Sequence, residues 1–163
     1  MTNGQYKRVV SLIASATEIV CALGARDLLV GRSHECDFPP DVTRLPSLTD
    51  PKFPLTGTSY DIGARVKAIL QEGLSVYRVD AEKLQALRPD IIVTQDHCEV
   101  CAVSLKDVEA ALCAWSGRPV EVVSLKPDAL ADIWGDIAKA RARMRTPRSA
   151  SGGTAESAHG QHR

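Results

Sequence analysis

No run of about 18 apolar residues occurs in this 163-residue chain, which excludes a transmembrane helix. Neither sign of charge is in excess: 20 Lys and Arg balance 20 Asp and Glu, so nothing points to a nucleic-acid or acidic-membrane partner. No charged n-region, apolar h-region and small-residue cleavage site precede the first apolar strand, so the chain as written is expected in the cytoplasm. Catalytic signatures are missing too. There is no nucleophile elbow, no phosphate loop, no H-E-x-x-H and no G-x-G-x-x-G opening a helix. The turn Ala14-Ser15-Ala16-Thr17 lacks the glycines that let a backbone approach a dinucleotide, and the carboxylates are scattered rather than paired. An enzyme is the poorer expectation.

What is present suits one domain. The hydrophobic fraction of 44% can build a core, and 25% charged residues argue against global disorder. Five cysteines (Cys21, Cys36, Cys98, Cys101 and Cys113) form an odd set, read as thiols or metal ligands rather than a disulfide framework.

Along the chain, Val9–Ile13 is a β-branched run of the buried parallel type. Ser15 or Thr17 is placed to cap the helix that follows, whose Ile19, Val20 and Leu23 recur at helical spacing, and Gly24 stops it. Leu28–Val30 is a second strand. Ser33–Leu55, broken by Pro39, Pro40, Pro46, Pro51 and Pro54, reads as one long loop. Further on come a helix at Tyr60–Glu72, a strand at Ser75–Val79, a short helix at Ala81–Leu87 and a strand at Ile91–Thr94. Ser104–Trp115 is an amphipathic helix and Val120–Leu125 a last strand. Asp128 is placed to cap a helix to about Met144. Strands alternating with helices imply an α/β fold: a three-layer, Rossmann-like lobe with a parallel sheet, ending in a long helix. Residues 1–145 form that lobe. Residues 146–163, rich in Ser, Gly and Ala, are expected to be a disordered tail.

The segments SLIASATEIV, ALGARDLLVGRSHECDFPPDV and LRPDIIVTQ, in this order and with the closing strand and helix, resemble the N-terminal lobe of the periplasmic-binding class that captures cobalamin and iron-siderophore complexes. The segment CEVCAVSL resembles a subgroup of cobalamin-binding proteins. The resemblance runs from about Arg8 to Met144 and implies a ligand-binding module, the substrate-binding component of an ABC transporter, for a corrinoid or another metal chelate. Relatives have two lobes joined by a rigid helix, with ligand between them. The resemblance implies that this sequence carries the first lobe only, and self-association through the apolar surface of the closing helix is one expected consequence. Relatives that dock on a permease present an acidic residue on each lobe, and Glu99 and Asp107 lie in that neighbourhood.

Ligands of open parallel sheets bind beyond the carboxyl ends of the strands. That rule selects Ser15–Glu18, Arg32–Cys36, the residues near Asp80 and Gln95–Cys101. The ligand-binding candidates are Ser15, Thr17 and Glu18 at a helix start, His34 and Glu35 after the second strand, and Gln95, Asp96 and His97 after a later one, with Tyr60 at the rim. Tyr77 is an alternative aromatic wall unless its strand buries it. His34, Cys36, His97, Cys98 and Cys101 could supply soft ligands to a tetrahedral zinc, and His97 could instead ligate the cobalt of a corrinoid. The bland readings stay open: a plain helix cap, buried structural thiols, or a redox pair at Cys98 and Cys101. Cys21, Cys113, Trp115 and Trp134 are expected in the core. The basic run from Lys139 through Arg141, Arg143 and Arg145 to Arg148 reads as a solvated helix end.

Overall fold

A computed structural model describes residues 7–71, 76–95, 103, 105–113 and 119–145. In chain order the elements are β1 (Val9–Ser11), α1 (Ala14–Ala22), β2 (Leu29–Arg32), β3 (Thr49–Pro51), α2 (Ser59–Gln71), β4 (Tyr77–Val79), α3 (Ala81–Leu87), β5 (Ile91–Gln95), α4 (Leu105–Cys113), β6 (Glu121–Leu125) and α5 (Leu130–Arg145). Single 3-10 turns lie at Arg26–Leu28 and Pro40–Arg44.

Four strands form a parallel sheet in the order β2-β1-β5-β6, with Val9 opposite Leu29 on one side and Ile91 on the other. The central strands β1 and β5 lie between two layers of helix, so their side chains from Val9 to Ser11 and from Ile91 to Thr94 are all buried. That double coverage is why they read as unbroken β-branched runs rather than alternating ones. One face of the sheet packs Val9, Ile91, Val93, Val123 and Leu125 with Ala16 and Val20 of α1 and Ala140 and Met144 of α5. The other packs Val10, Leu12 and Ile92 with Leu84 of α3 and Val108 and Ala111 of α4. Each fully buried aliphatic side chain contributes about 1.5–3 kcal/mol, so the two clusters supply most of the drive to fold.

The helix ends show local sequence acting directly. Gly24 at φ +73° closes α1, with Ala25 N–H donating to the Val20 carbonyl (3.1 Å) and Gly24 N–H to Cys21 (3.0 Å), the paired bonds of a Schellman stop. The Asp80 carboxylate accepts from the Lys83 N–H (3.0 Å) and caps α3. Gly31 lies at a close approach: a Cβ there would sit 2.8 Å from Leu48 Cδ1 and 2.8 Å from Leu87 Cδ1, so both leucine side chains would have to shift.

Three expectations are corrected. Neither Ser15 nor Thr17 caps α1. The helix begins at Ala14, with Ile13 at the N-cap and no side-chain cap bond, so Ser15 is exposed and Thr17 falls on the buried face of the first turn. The segment Ser33–Leu55 is not all loop, and β4 does not join the parallel sheet. β3 and β4 pair antiparallel with each other, Thr49 opposite Val79. The polar triplet Thr49-Asp50-Pro51 has no alternation to betray a strand. Its pairing is fixed by tertiary bonds, Asp80 N–H to the Leu48 carbonyl (2.8 Å) and Lys52 N–H to Val76 (2.9 Å). Within the first turn of α5 the Asp132 carboxylate also accepts the N–H groups of Asp128 (3.1 Å) and Ala129 (2.7 Å). Residues 146–163, read as a tail, lie outside the described residues, as do Trp115 and the Cys98 and Cys101 pair.

Candidate functional site

The strand order places the topological switch between β1 and β5, where the chain leaves the sheet toward opposite edges. Ser11 ends β1, Gln95 ends β5, and the turn Ser33–Cys36 follows β2 on the same carboxyl edge. Two polar clusters occupy this edge.

The outer cluster is built on Thr49. Its hydroxyl, on a residue only 1% exposed, lies 2.9 Å from Ser33 Oγ, 3.0 Å from the His34 N–H and 2.7 Å from His34 Nδ1. A hydroxyl donates once and accepts twice. Two arrangements satisfy every one of these bonds: Thr49 donates to Nδ1 while accepting from the His34 N–H and the Ser33 O–H, or it donates to Ser33 Oγ while accepting from the His34 N–H and Nδ1–H. Ser33 Oγ then remains able to accept the Glu35 N–H (3.4 Å). In the first arrangement the His34 ring carries its proton on Nε2, and in the second on Nδ1. The Tyr77 ring lies against the imidazole, centroids 5.0 Å apart and tilted by 56°, and its hydroxyl donates to Glu35 Oε1 (2.8 Å). The Arg32 guanidinium ties the turn from below, donating from Nη1 to the carbonyls of Ser33 (2.9 Å) and His34 (3.3 Å) and from Nη2 to Thr43 (3.2 Å). An imidazole, a phenol and an exposed carboxylate are thus held together at the rim by buried hydroxyls.

The inner cluster is buried. Thr17 Oγ1 lies 2.9 Å from Ser11 Oγ and 3.0 Å from Cys36 Sγ, and Ser11 donates to the Ile13 carbonyl (3.0 Å). Burial pushes the Cys36 thiol up from its ordinary value, the Thr17 hydroxyl opposing only in part, so Cys36 stands as a protonated thiol at 1% exposure. Burial likewise raises Cys21, which packs against the α1–α5 face of the core.

Of the candidates read from the sequence, the structure brings Thr17 to Cys36 and joins His34 to Glu35 through Tyr77. Gln95 is half-buried at the switch point, whereas Ser15 and Glu18 are exposed on α1. Tyr60 is 84% exposed at the start of α2 and joins neither cluster. Asp96, His97, Cys98, Glu99 and Cys101 lie outside the described residues, and among the described residues no group of three His, Cys, Asp or Glu side chains gathers to hold a metal. Asp107 sits in the first turn of α4, 3.6 Å from Lys52 Nζ. Sequence reasoning missed Ser11 and Thr49, and took in Ser33 within Arg32–Cys36 without singling it out. Thr49 had no local signal, because it reaches His34 only through the parallel bridge of Ser47 to Arg32 and the β3–β4 pairing. Trp134, expected in the core, is instead 66% exposed on α5. The helix turns Ala140 and Met144 inward, and their face excludes position 134.

Among the described residues no helix is long and apolar enough to cross a membrane. No family model matches the chain, and no curated protein matches it. Its structure is similar to the periplasmic vitamin B12-binding protein BtuF of Vibrio cholerae, with 18% identity and a TM-score of 0.53 over 85% of this chain and 47% of that one. It is similar to the periplasmic haem-binding protein HutB of Vibrio cholerae, with 21% identity and a TM-score of 0.53 over 85% and 41%. The periplasmic haem-binding protein RhuT of Roseiflexus gives 23% identity and a TM-score of 0.51 over 83% and 41%. The chain therefore spans less than half the length of these proteins, and it has the fold of one lobe of the periplasmic B12- and haem-binding proteins.

Proposed function

We propose that this chain is a ligand-binding module that holds a corrinoid or a related metal chelate at the carboxyl edge of its sheet, without catalysing a reaction. The observation that carries this reading is the rim cluster of His34, Glu35 and Tyr77, fixed by Thr49 and Ser33 beside the switch point of a parallel sheet. A macrocycle can rest on the tilted Tyr77 and His34 rings, and its amide or carboxyl side arms can bond to Glu35 and Gln95. Nε2 of His34 is left to ligate a metal when Nδ1 carries the ring proton, or to donate to a side arm when Nε2 carries it. The fold shared with B12- and haem-binding proteins supports the ligand class and, with it, a role beside an ABC permease, for which Glu99 and Asp107 are the acidic candidates on this lobe.

The test is a calorimetric titration of the reduced, purified chain with cyanocobalamin and then hemin, after assaying bound zinc. Saturation near one to one is expected, with His34→Ala and Tyr77→Phe each weakening binding about tenfold, the loss of one good polar contact. Absence of heat with both ligands would overturn the reading. Stoichiometric zinc in that case would transfer the assignment to His34 with the Cys98 and Cys101 segment.

A further inference from the structure

The rim cluster sets two unlike groups side by side. Tyr77 lays its ring against the His34 imidazole, centroids 5.0 Å apart, and donates its hydroxyl to Glu35 Oε1 (2.8 Å), so one phenol positions both neighbours. Glu35 is exposed and His34 half-buried, and among the described residues neither Glu35 Oε2 nor His34 Nε2 has a partner.

The form that Nε2 takes follows from the hydroxyl pair behind the ring. Ser33 is 3% exposed and Thr49 1%, so each hydroxyl hydrogen needs an acceptor inside the protein. When Thr49 donates to Nδ1 it also accepts the Ser33 O–H, and both hydrogens are placed. When Thr49 donates to Ser33 Oγ instead, the Ser33 hydrogen meets no acceptor among the described residues. The Glu35 N–H reaches Ser33 Oγ at 3.4 Å in either case and decides nothing. Keeping that buried donor paired favours the first arrangement of the neutral ring by about tenfold. Nε2 then carries the proton and faces a ligand as a donor beside the acceptor Glu35.

On the reading of the chain as a corrinoid-binding module, on which this step rests, we infer that His34 and Glu35 together recognise a primary carboxamide on a side arm of the macrocycle. A carboxamide offers one acceptor oxygen and an N–H donor on the same carbon. Its oxygen takes the Nε2–H of His34 while its nitrogen donates to Glu35. A carboxylate arm satisfies His34 alone and brings its charge against that of Glu35. The cation of this turn does not offset that repulsion by direct pairing, because the Arg32 guanidinium bonds to the carbonyls of Ser33, His34 and Thr43. The site thus selects amide-bearing corrinoids over macrocycles whose arms are acids, and His34 holds a side arm rather than the metal.

Calorimetric titration of the full chain with dicyanocobinamide and with dicyanocobyrinic acid tests this, since the macrocycle is common and the arms are amides in one and acids in the other. The amide form should bind about tenfold or more tightly. Glu35→Gln should bring the two within about threefold, because glutamine still accepts from Tyr77 but also donates to a carboxylate. Asp50→Asn removes the same charge from an exposed residue of β3 that alternates away from Thr49, and should leave the preference within about twofold. A 15N ring spectrum of the free chain at about pH 8, above the ordinary imidazole range, should show His34 protonated at Nε2, the signal being assigned by its loss in His34→Ala. Equal binding, a preference for the acid, a preference that Glu35→Gln leaves in place, or a bare Nε2 would overturn the carboxamide contact alone. Absence of binding by both corrinoids would overturn the module reading and the contact with it.

Discussion

Replacing Thr49 by valine is the sharpest perturbation of the rim cluster, because the two side chains share a shape and differ by one hydroxyl. That hydroxyl is buried and lies within 3.0 Å of Ser33 Oγ, the His34 N–H and His34 Nδ1. The His34 imidazole is half-buried, so its Nδ1 can turn to water at little cost. The His34 N–H and the Ser33 hydroxyl have less recourse. An orphaned buried donor costs about 1–3 kcal/mol and a lost neutral bond about 1 kcal/mol, which together give about 2–4 kcal/mol of destabilisation. With a denaturant slope of about 2 kcal/mol per M, the urea midpoint should fall by roughly 1–2 M at unchanged slope. Thr49→Ser, which keeps the hydroxyl, should recover most of that loss. Cobalamin affinity should fall with Thr49→Val as well, because the ring that faces the ligand is no longer held. A valine variant within about 0.5 kcal/mol of the parent, the range of an inconsequential surface change, would refute the account of Thr49 as the organiser of the site.

Two further outcomes follow from the same physics. Asp80→Ala should cost about 1 kcal/mol near neutral pH, the ordinary value of an N-cap. The bonds from Lys83 lower the carboxyl pKa of Asp80 in the folded state, so its contribution is full above the unfolded value and is lost as pH falls through the folded one. Urea unfolding should therefore show the variant and the parent converging in acid, and a gap that widens there would contradict the cap. Cys36, raised by burial and 1% exposed, should escape iodoacetamide in the native chain at about pH 8 and react once urea unfolds it. Peptide mass spectrometry that finds native Cys36 alkylated as fast as an unfolded thiol would contradict its placement against Thr17.

The sheet was legible because its strands are local runs. Val9, Val10, Ile91, Ile92 and Val93 are buried on both faces, and burial of that kind leaves its mark within a few residues. Gly24 and the Ala81–Leu87 segment ended where their own residues dictated. The misread elements depend on partners far along the chain. β3 exists because Thr49-Asp50-Pro51 finds Tyr77-Arg78-Val79, and no periodicity in either triplet announces the other. The site divides the same way. His34 and Glu35 were legible from their place after β2, and Thr17 was legible as a residue after β1 though not as a buried one. Thr49 and Ser33 were not, because their role is to hold another side chain and only the fold shows which. Trp134 was assigned to the core on hydrophobicity alone. Its face of α5 is decided by Ala140 and Met144, smaller or later residues that a single large side chain outweighs on inspection.

The most direct measurement is an amide chemical-shift titration of the 15N-labelled chain with cyanocobalamin. The account predicts saturable shifts confined to Ser33–Cys36, Thr49, Tyr77 and Gln95 at the carboxyl edge of the sheet, with the midpoint raised about tenfold by His34→Ala. Shifts centred away from that edge, at the hollow formed by Gly24, Leu28, Arg141 and Met144, or no shifts at all, would contradict it.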